Sequence, residues 1–537
     1  MTTQQADAIV IGAGHNGLAC AGYLARAGLK VHVVERAGHI GGAALTEEFH
    51  PGYRNSVFSY LVSLLDARVI RDLALKDHGL ELIKRPGGSL QVLDGDHMYL
   101  PRDPAAARAA LARFSEKDAG RFQAFEDMLE RFGDLVRALA AEPPPNFGGG
   151  IGDLMTLLGT ANRMRKLTVE DQATLAELMT MSIGDFLDRW FESDPIKGLF
   201  GFEGVIGNFQ GPYEQGTAYV LLHHVFGQID GQTGAWAYAK GGMGAITQAM
   251  AGFARAKGAV IETEAEVVEI TRKGGRTTGV LLADGRRIEA PVVAANCHPR
   301  ILYGQLLPLE EAPDAFRAKV GHWRSESATF RMNLALSELP KFDTVPHDDT
   351  GLTAMQNTID ICPSLPYLQA AHDDARRDGW AKAPIVSMCI PSISDPTLAP
   401  EGHHVMSLFC QHFRRHLPDG RSWDDVRETV ADGIVDTVAA YCPNLKGAIV
   451  GRQIHSPLDI ERRLNMVGGD IFHGKLALDQ IYSLRPAAGY ADHRMPLGGL
   501  YLCGSGAHPG GGVSGIPGRN AALAALKDLK RGRVENP

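Results

Sequence analysis

Several features that mark common classes of protein are absent from this sequence. It has no run of about 20 apolar residues, so no helix is expected to span a membrane. Its formal net charge is −8, so it lacks the basic excess typical of proteins that bind nucleic acid. The motifs HExxH and GxxxxGK(S/T) do not occur, which excludes zinc proteases and Walker-type nucleotide triphosphatases of those patterns.

Metal-binding and dithiol patterns are also missing. The seven cysteines are widely separated and none forms a CxxC pair, so neither a zinc knuckle nor a dithiol redox centre is expected. An odd number of scattered cysteines favours a reducing compartment. His223-His224 and His403-His404 are adjacent pairs. Adjacent residues cannot share one helix face, so packing is favoured over metal binding and no metal site is predicted.

The position of the first apolar run bears on localisation. This run begins at Ala8, which leaves no room for a signal or transit peptide before it. We therefore expect a cytoplasmic protein, or a protein of the mitochondrial matrix if the source is eukaryotic. A peripheral contact with a membrane stays open on this evidence.

The composition is that of a large globular enzyme. The chain has 537 residues, enough for two or three domains, with 45% hydrophobic and 22% charged residues. Its 62 glycines include two dense groups, near the beginning and near the end of the chain. These two groups carry most of the functional prediction.

The first glycine-rich turn lies between an apolar strand and a helix rich in small residues. Ala8–Ile11 is a short apolar run typical of a buried parallel strand. Gly12, Gly14 and Gly17 follow it in the pattern GxGxxG. Gly12 makes the tight turn, Gly14 lets the backbone approach a pyrophosphate, and Gly17 lets the helix pack closely on the strand.

A carboxylate completes this dinucleotide-binding pattern. Glu35 ends the second strand, about 20 residues beyond Gly14, which is the usual spacing for a carboxylate that holds a ribose hydroxyl. The helix N-terminus, at His15 and Asn16, offers free N–H groups and the positive end of the helix dipole to the phosphates. The sequence therefore predicts an α/β fold with a Rossmann-type dinucleotide-binding domain.

The residues after Glu35 narrow the identity of the cofactor. Arg36 follows directly, and Gly41, Gly42 and Ala43 come after a short spacer. A glycine pair at this point lets the backbone pass close to a bound cofactor. The pattern Glu-Arg, spacer, Gly-Gly resembles that of FAD-dependent amine oxidases and phytoene desaturase-type enzymes. This resemblance implies that the cofactor is FAD.

The second glycine-rich turn lies near the end of the chain. It follows the apolar strand Leu500–Cys503, and it includes Gly504, Ser505 and Gly515 before a helix that opens at Ile516. Two such junctions at opposite ends of the chain are explained if both meet on one long cofactor such as FAD. We expect residues 513–518 to present N–H groups to the flavin, since a helix N-terminus favours the negative charge of the reduced ring.

Further motifs sharpen the resemblance. The segments 469–473, 478–482 and Arg485-Pro486 resemble the phytoene desaturase-like FAD-dependent oxidoreductase family. Within it they are most similar to a branch named after a pyridine nucleotide-disulfide oxidoreductase domain. That name implies a second nucleotide and a dithiol, whereas this sequence has neither a second GxGxxG nor a CxxC pair. The resemblance also implies a main-chain contact from Val267 to the adenine of FAD.

The element pattern and the resemblance together suggest domain boundaries. We predict a discontinuous FAD-binding domain built from residues 1–100, 236–300 and 465–537. A mainly helical subdomain occupies residues 101–235, and a substrate domain with a mixed sheet occupies residues 301–464.

Two features of the predicted helical subdomain allow two interpretations each. An amphipathic stripe within residues 122–139 either packs against neighbouring helices or walls an apolar substrate tunnel. Aromatic residues near the end of the subdomain, among them Tyr213 and Trp236, either line an apolar substrate site or only pack.

The resemblance implies hydride transfer from, or isomerisation of, an apolar, polyene or isoprenoid-like substrate at flavin N5. An amine or amino-acid oxidase using oxygen and a flavin-binding interaction protein without turnover remain alternatives. The sequence fixes neither the electron acceptor, oxygen or quinone, nor the oligomeric state, and no catalytic residue is identified. Five polar residues near the predicted cofactor end are expected to make structural hydrogen bonds: His473, Asp479, Tyr482, Arg485 and His508.

Overall fold

The computed structural model describes residues 3–534 and is organised around a five-stranded parallel sheet. All neighbouring strands in it run parallel, and the strand Ala8–Ile11 lies at the centre. Because both faces of this sheet are covered, the strands Ala8–Ile11, Val292–Ala295 and Leu500–Leu502 are short, buried apolar runs. In spatial order the strands are Val260–Glu262, Val31–Val34, Ala8–Ile11, Val292–Ala295 and Leu500–Leu502.

Three helices pack together against one face of this sheet. The helix His15–Arg26 lies between Gly244–Ala256 and the C-terminal helix Ile516–Lys530. The approach is close, since a Cβ atom at Gly518 would lie 2.0 Å from the carbonyl oxygen of Asn16. Small residues therefore bring the two ends of the chain into direct contact, as the two glycine-rich turns predict.

A four-stranded sheet covers the other side of the parallel sheet. Three of its strands form a meander around the turns at Gly274-Gly275 and Asp284-Gly285. Its apolar side packs on residues of the parallel sheet such as Ile9 and Val293. In spatial order its strands are Thr3–Gln5, Arg287–Glu289, Arg276–Leu282 and Val267–Lys273.

A seven-stranded mixed sheet forms the second large layer. Its edge hairpin, Gly88–Leu93 and Asp96–Pro101, pairs in parallel with the strand Thr358–Ile361. The predicted boundary at residue 100 placed this hairpin in the FAD-binding domain, whereas its strands pair within the seven-stranded sheet. Pairing between strands so distant in the chain leaves no local signal in the sequence. The strands in spatial order are Ile449–His455, Thr329–Leu336, His404–Phe413, Trp380–Cys389, Thr358–Ile361, Gly88–Leu93 and Asp96–Pro101.

The two faces of the seven-stranded sheet differ in character. On one face Phe330, Met332 and Leu334 pack under the helix Trp423–Ala439 in an apolar core. The alternate residues of the strand Thr329–Leu336 include polar side chains, all of them buried. This polar face is turned toward the parallel sheet, and a buried polar face of that kind is a sign of a functional site.

Seven helices between residues 104 and 225 form the predominantly helical part of the chain. Phe122, Phe125, Leu129 and Phe132 are buried in its core, so most of the amphipathic stripe serves packing. Its helices are Pro104–Ala112, Glu116–Ala140, Ile151–Arg165, Val169–Thr180, Ile183–Trp190, Asp194–Glu203 and Ala218–Val225.

Shorter elements join these layers. The remaining strands form two-stranded ribbons, which are Thr46–His50 with Tyr53–Ser56, Leu82–Lys84 with Ala237–Ala239, and Gln228–Ile229 with Gln232–Thr233. The remaining α-helices are Ala67–Asp72, Pro299–Leu302, Asp314–Gly321, Asp349–Met355, Leu365–Asp378, Leu445–Ala448 and Pro457–Leu464. The 3₁₀ turns are Leu309–Glu311, Pro391–Ile393, Pro396–Leu398, Val467–Gly469, Leu478–Gln480 and Tyr482–Leu484. Across residues 3–534, none of the helices combines the length and the apolar character needed to cross a bilayer.

Candidate active site

A cavity of about 340 Å³ begins at the carboxyl ends of the parallel strands and continues to the polar face of the seven-stranded sheet. This is where an open parallel sheet places its ligand site. Ten of the fifteen residues predicted to bind the cofactor line it: Gly12, Gly14, His15, Asn16, Glu35, Arg36, Gly42, Ala43, Val267 and Ser505.

The glycine loop is shaped as the sequence predicts. Gly12 has a φ of +93°, which a residue with a side chain rarely adopts. Gly17 does not line the cavity, and a Cβ atom there would lie 2.0 Å from the carbonyl oxygen of Gly12. It therefore supports the loop from behind. Gly14 caps the helix without a side chain, so the first N–H groups of the helix face the cavity uncapped.

The two glycine-rich junctions are joined by side chains of the first helical turn. The His15 ring hydrogen bonds through Nε2 to the carbonyl of Gly512 at 3.1 Å. Burial lowers the pKa of His15 to about 4, so the ring is neutral and donates this bond. The Asn16 amide donates to Ser505 Oγ at 3.3 Å, while its own Oδ1 is buried and lacks a partner within the described chain. That orphaned acceptor is one observation that a polar ligand fits here.

Glu35 is held at the end of its strand by two backbone donors. Its carboxylate accepts from the N–H of Ala13 at 2.7 Å and from the N–H of Ala37 at 2.9 Å. Each carboxylate oxygen has a further lone-pair direction, so both can still accept from ribose hydroxyls. The acid is thus pre-positioned for the role that its spacing predicts.

The segment after Glu35 closes over the glycine loop. The N–H of Gly41 donates to the carbonyl of Ala13, although Gly41 itself lies outside the cavity wall. At Gly42 a Cβ atom would come within 3.1 Å of the Cα of Gly14, so the glycine pair is required for close backbone approach. Arg36 lines the cavity and donates to the carbonyls of Arg462 and Arg463, which fixes its position.

Two further residues of this wall were missed by the sequence analysis. Asn296 and Cys297 line the cavity directly after the strand Val292–Ala295, beside Gly12. The Asn296 amide donates to the carbonyl of Gly12 at 3.4 Å. The carboxyl end of a parallel strand next to the glycine loop is a signal that could have identified them.

The C-terminal junction differs in detail from the prediction. Ser505 lines the cavity, whereas Gly504 lies behind it against Asn296. Gly515 and Ile516 are also outside the wall, because Gly515 caps the helix where a Cβ atom would meet Val69 at 3.1 Å. The wall here is formed by Gly512 and Val513, which precede the helix N-terminus.

The end of the cavity remote from Glu35 is an aromatic and aliphatic chamber. Tyr60, Phe409 and Phe472 contribute rings, and Trp236 and Ile206 complete the apolar wall. This location of Trp236 favours the first interpretation of the aromatic residues, whereas Tyr213 is exposed and does not line the cavity. We call this group the aromatic chamber: Tyr60, Ile206, Trp236, Phe409 and Phe472.

Acidic and basic side chains are distributed differently along the wall of this cavity. Within the described chain only Glu35 and Glu266 bring carboxylates to this wall, and both lie at the nucleotide end: Glu35 follows the strand Val31–Val34, and Glu266 precedes the strand Val267–Lys273. Arginines reach it at both ends: Arg36 and Arg463 near the glycine loop, and Arg331 beside the aromatic chamber. The wall therefore favours anionic groups, as a pyrophosphate requires.

The five polar residues that were expected near the cofactor lie in different surroundings. Of the five, His473 alone lines the first cavity, while Asp479 is exposed and pairs with Arg324. Arg485 is fully buried and donates to four backbone carbonyls, including those of Phe472 and Ser505. Tyr482 and His508 line a second cavity. Arg485 thus has the structural role that was expected.

The His473 ring is buried in a strained turn. Its φ is +57°, and the carboxylate of Asp470 holds the turn by accepting from the N–H groups of Phe472 and Gly474. Burial lowers the pKa of His473 to about 3, so the ring is neutral, and its Nδ1 lacks a partner within residues 3–534. A neutral imidazole in the wall can accept a hydrogen bond from a ligand.

The second cavity, of about 550 Å³, lies between the helical subdomain and residues 478–484 and 508–509, and it is almost wholly apolar. Val136 and Leu139, from the end of the amphipathic stripe, line it together with Leu154 and Leu157 of the helix Ile151–Arg165. His223 lines this second cavity, Phe472 lines the first, and their rings are 5.9 Å apart. Side chains rather than main chain therefore separate the two cavities.

No pair of thiols borders the first cavity within the described residues. Cys20 and Cys503 lie within hydrogen-bonding distance of each other, but both are fully buried and neither lines the cavity. Burial and the neighbouring thiol raise the pKa of Cys503, which leaves it an unreactive thiol. Cys297 lines the cavity as a single thiol whose pKa is raised by burial to about 12.

Family models match most of the chain. A model described as flavin containing amine oxidoreductase matches residues 17–329. A second, described as FAD dependent oxidoreductase, matches residues 222–460. Between them they cover residues 17–460, which include the helical subdomain and the seven-stranded sheet.

Full-length relatives agree with these matches. The chain is 40% identical to "Pyridine nucleotide-disulfide oxidoreductase domain-containing protein 2" of Rattus norvegicus, over 98% of this chain and 94% of that protein. It is 27% identical to one of the polypeptides of limonene dehydrogenase from Castellaniella defragrans, over 98% and 95% of the two chains. It is 24% identical to "Phytoene desaturase (lycopene-forming)" of Pantoea ananas, over 96% and 98%.

Among solved structures the fold is similar to that of putrescine oxidase bound to putrescine. The TM-score is 0.62, the sequence identity is 15%, and the match covers 99% of this chain and all of the other. At this identity the likeness establishes the architecture of a flavin amine oxidase and leaves the substrate open.

Proposed function

Because this chain belongs to the family of flavin-containing amine oxidoreductases and is an FAD-dependent oxidoreductase, we propose that it dehydrogenates an apolar, isoprenoid-like substrate. Bound FAD supplies an acceptor for a hydride, or two electrons and a proton. The residues of the chain bind the cofactor, hold the substrate beside it and exclude water. The observation that carries the proposal is the aromatic chamber in continuity with the glycine loop.

The residues that fit FAD are those already described by their geometry. The uncapped helix N-terminus at Gly14 suits the pyrophosphate, and Glu35 suits the adenosine ribose. Val267 lies at the same end of the cavity as Glu35, consistent with a main-chain contact to adenine. The helix N-terminus beyond Val513 suits a group that gains negative charge on reduction.

The chamber is suited to an apolar substrate rather than to an amine. A protonated amine needs a carboxylate or an uncrowded aromatic face, and the carboxylates of the described wall lie at the nucleotide end. Beside the chamber stands Arg331, whose positive charge repels an ammonium group. By contrast, transfer of apolar surface from water into the chamber is favourable by about 25 cal/mol per Å².

The names of two relatives support the same substrate class. Phytoene desaturase and limonene dehydrogenase are named for isoprenoid hydrocarbons, and both align with this chain over nearly its full length. In such substrates the hydride comes from a C–H bond without an acidic proton nearby. The lack of a clear general base in the described part of the chamber is consistent with that chemistry.

We further propose that the second cavity is the route of entry for the substrate. It is apolar, it lies next to the first cavity, and the side chains of His223 and Phe472 stand between the two cavities. Side chains change rotamer far more easily than main chain rearranges, so these two can act as a gate. The helix Ile151–Arg165, which walls this route, has no buried residue.

Anaerobic reduction of the flavin tests the proposal. The FAD-loaded protein is mixed with a panel of terpenes and, separately, with putrescine and cyclohexylamine, and flavin absorbance is followed. We expect bleaching by an isoprenoid and not by the amines. Ile206→Asn, which places an amide in the aromatic chamber, should slow this bleaching at least tenfold, whereas Leu352→Asn on the surface should not.

Each opposite result identifies an alternative. Reduction by the amines alone would establish an amine oxidase. A protein that holds FAD and is reduced by neither class, in the presence of compounds identified by mass spectrometry as co-purifying with it, would be a flavin-binding protein without turnover.

A further inference from the structure

Arg331 is a buried cation without an anionic partner among the described residues. Its side chain is 2% exposed and borders the first cavity, which holds the glycine loop. Its one hydrogen bond within the described chain runs from Nη2 to Ser407 Oγ at 2.7 Å, and it makes no ion pair there. Nε and Nη1, which carry three N–H donors between them, have no partner.

The position of Arg331 on its strand explains why it reaches the cavity. It lies on the strand Thr329–Leu336, on the polar face of the seven-stranded sheet, directly opposite Phe409. Opposite residues of an antiparallel pair extend to the same side of a sheet. The guanidinium carbon lies 5.9 Å from the centre of the Phe409 ring and 4.5 Å from that of Tyr60. The charge is therefore set among the rings of the aromatic chamber.

Neighbouring carboxyl groups do not supply the missing charge. Asp360 is buried and Glu203 half-buried nearby, and desolvation raises the pKa of Asp360 to about 7 and that of Glu203 to about 8. The cation that acts on both is Arg85 rather than Arg331. Glu47 is paired with Arg463.

A buried guanidinium in this state is costly to the folded protein. A charge removed from water is compensated in proteins by an opposite charge and by a full set of hydrogen bonds. The faces of Tyr60 and Phe409 supply cation–π attraction, but neither ring can accept the N–H groups in the guanidinium plane. An arginine kept in such a place, on a cavity wall, marks a site for an anion.

We propose that Arg331 binds a carboxylate of the substrate, so that the substrate is an apolar acid whose chain lies in the aromatic chamber. This inference rests on the proposed dehydrogenation, and it narrows the substrate from apolar molecules in general to amphipathic monoanions. The carboxylate fixes one end of the molecule, and the rings of the chamber align the rest. A neutral hydrocarbon would leave the three N–H donors without partners.

The number of charges favours a carboxylate over a phosphate or diphosphate. Arg331 is the only arginine of the described wall that contacts the rings of the chamber, whereas Arg36 lies at the nucleotide end and Arg463 is paired with Glu47. A single guanidinium balances one negative charge, and its planar donors match the planar carboxylate. A diphosphate brings two or more charges, for which this part of the described wall has no further cation.

Binding of matched ligands tests the proposal without turnover. Sodium decanoate, 1-decanol and decylamine share one alkyl chain and differ in the head group. Each is titrated into the FAD-loaded protein, and binding is followed by calorimetry and by the flavin spectrum. We expect decanoate to bind at least tenfold more tightly than 1-decanol, and decylamine to bind more weakly than either.

Variants of Arg331 decide whether the difference arises at this side chain. Arg331→Met should abolish the preference for decanoate over 1-decanol, and Arg331→Lys should keep part of it. Equal affinity of wild-type protein for decanoate and 1-decanol, or an unchanged preference in Arg331→Met, would overturn the proposal. Loss of FAD from Arg331→Met, or an altered flavin spectrum before any ligand is added, would instead assign Arg331 to the cofactor.

Thermal melting separates this role from a structural one. Removing an uncompensated buried charge should leave the melting temperature of ligand-free Arg331→Met equal to or above that of wild type. A large fall would assign Arg331 to the fold and overturn the proposal. Failure of Arg331→Met to fold would count as such a fall. Absence of flavin reduction by any apolar compound would reject the proposed dehydrogenation while leaving this binding result readable.

Discussion

The carboxylate of Glu35 accepts a hydrogen bond from the backbone N–H of Ala13 at 2.7 Å, which ties the end of the second parallel strand to the glycine loop after the first. A second bond, from the N–H of Ala37 at 2.9 Å, fixes the other carboxylate oxygen. The acid is thus positioned by main chain alone. Its place in the site follows from the sheet and does not depend on flexible side chains.

The first prediction concerns the retention of FAD. Glu35→Ala removes the acceptor for the ribose hydroxyls and should weaken FAD binding by about 2–3 kcal/mol, or about 30–150-fold. Fluorescence of the flavin that remains after dialysis measures this loss. Glu401→Ala, at an exposed loop position, is the matched control and should retain FAD like wild type. Equal retention by both variants would remove Glu35 from the cofactor site.

The second prediction concerns the electron donor. Neither NADH nor NADPH should reduce the flavin rapidly. Across residues 3–534 only one parallel sheet carries a glycine loop of the nucleotide-binding type, and no dithiol lines the cavity. Stopped-flow mixing of oxidised protein with each nucleotide should show slow bleaching without saturation. Fast, saturable bleaching would mean that a nicotinamide reaches the flavin, and the direction of electron flow would have to be reversed.

The nucleotide end of the site could be predicted from the sequence because its signals are local. Gly12, Gly14 and Gly17 lie close together in the chain, and Glu35 follows at the spacing set by one helix and one strand. Even the meeting of the two chain ends follows, since each end carries its own glycine-rich junction. At Gly515 the prediction was off by a few residues, because a loop of consecutive glycines does not reveal which of them faces a ligand.

The chamber end could not be predicted in this way. Tyr60, Arg331 and Phe409 come from three distant parts of the chain, and each alone is an ordinary residue of a strand or loop. The same reason accounts for the hairpin at residues 88–101, whose partner strand lies far away in sequence. Contacts between residues so far apart in the chain depend on how the two large sheets pack, and no short sequence pattern predicts that packing.

The third prediction concerns the flavin potential. Val513 lines the cavity just before the C-terminal helix, at the point where the helix N-terminus favours negative charge. Val513→Asp should oppose that charge by about 1–2 kcal/mol, which lowers the two-electron potential by about 20–40 mV. Val513→Asn has nearly the same shape without the charge and should shift it little. Potentiometric titration with a reference dye distinguishes the two, and equal potentials would place the flavin ring elsewhere.

The fourth prediction concerns stability in acid. The pKa of His473 is lowered to about 3 in the folded protein, chiefly by burial, so the unfolded chain binds its proton more readily. Wild-type protein therefore loses stability as the pH falls from about 6.5 towards 3. His473→Asn tolerates the left-handed backbone and lacks this titration. Its unfolding free energy should fall less steeply, by up to about 1.4 kcal/mol per pH unit.

Urea unfolding at three pH values between neutral and mildly acidic measures this difference. Other buried groups, such as Asp470 with a pKa raised to about 6, titrate in both proteins and cancel in the comparison. At neutral pH His473→Asn is expected to be the less stable of the two, because the asparagine side chain leaves unfilled space. Parallel curves for the two proteins would mean that His473 is as easily protonated in the folded state as in the unfolded chain.

The fifth prediction concerns a membrane surface as the source of the apolar substrate. On the helix Ile151–Arg165 the side chains of Ile151, Met155 and Leu158 form an outward stripe, with 82%, 63% and 54% of their surface exposed. Arg163, Arg165 and Lys166 follow at its end and are exposed as well. The other side of the same helix walls the apolar second cavity. Apolar residues beside a basic cluster are typical of a helix that lies on an anionic bilayer.

Vesicle co-sedimentation measures this contact. The protein should bind phosphatidylglycerol vesicles more tightly than phosphatidylcholine vesicles, since each basic residue near an anionic surface contributes about 1 kcal/mol. Serine at Ile151, Met155 and Leu158 together should reduce binding at least tenfold, because burial of a large apolar side chain is worth about 1.5–3 kcal/mol. Serine at Leu352, Val450 and Leu523, which are exposed apolar residues elsewhere, should not. If both triple variants bind as wild type does, the helix serves only as the outer wall of the second cavity, and the substrate reaches it from solution.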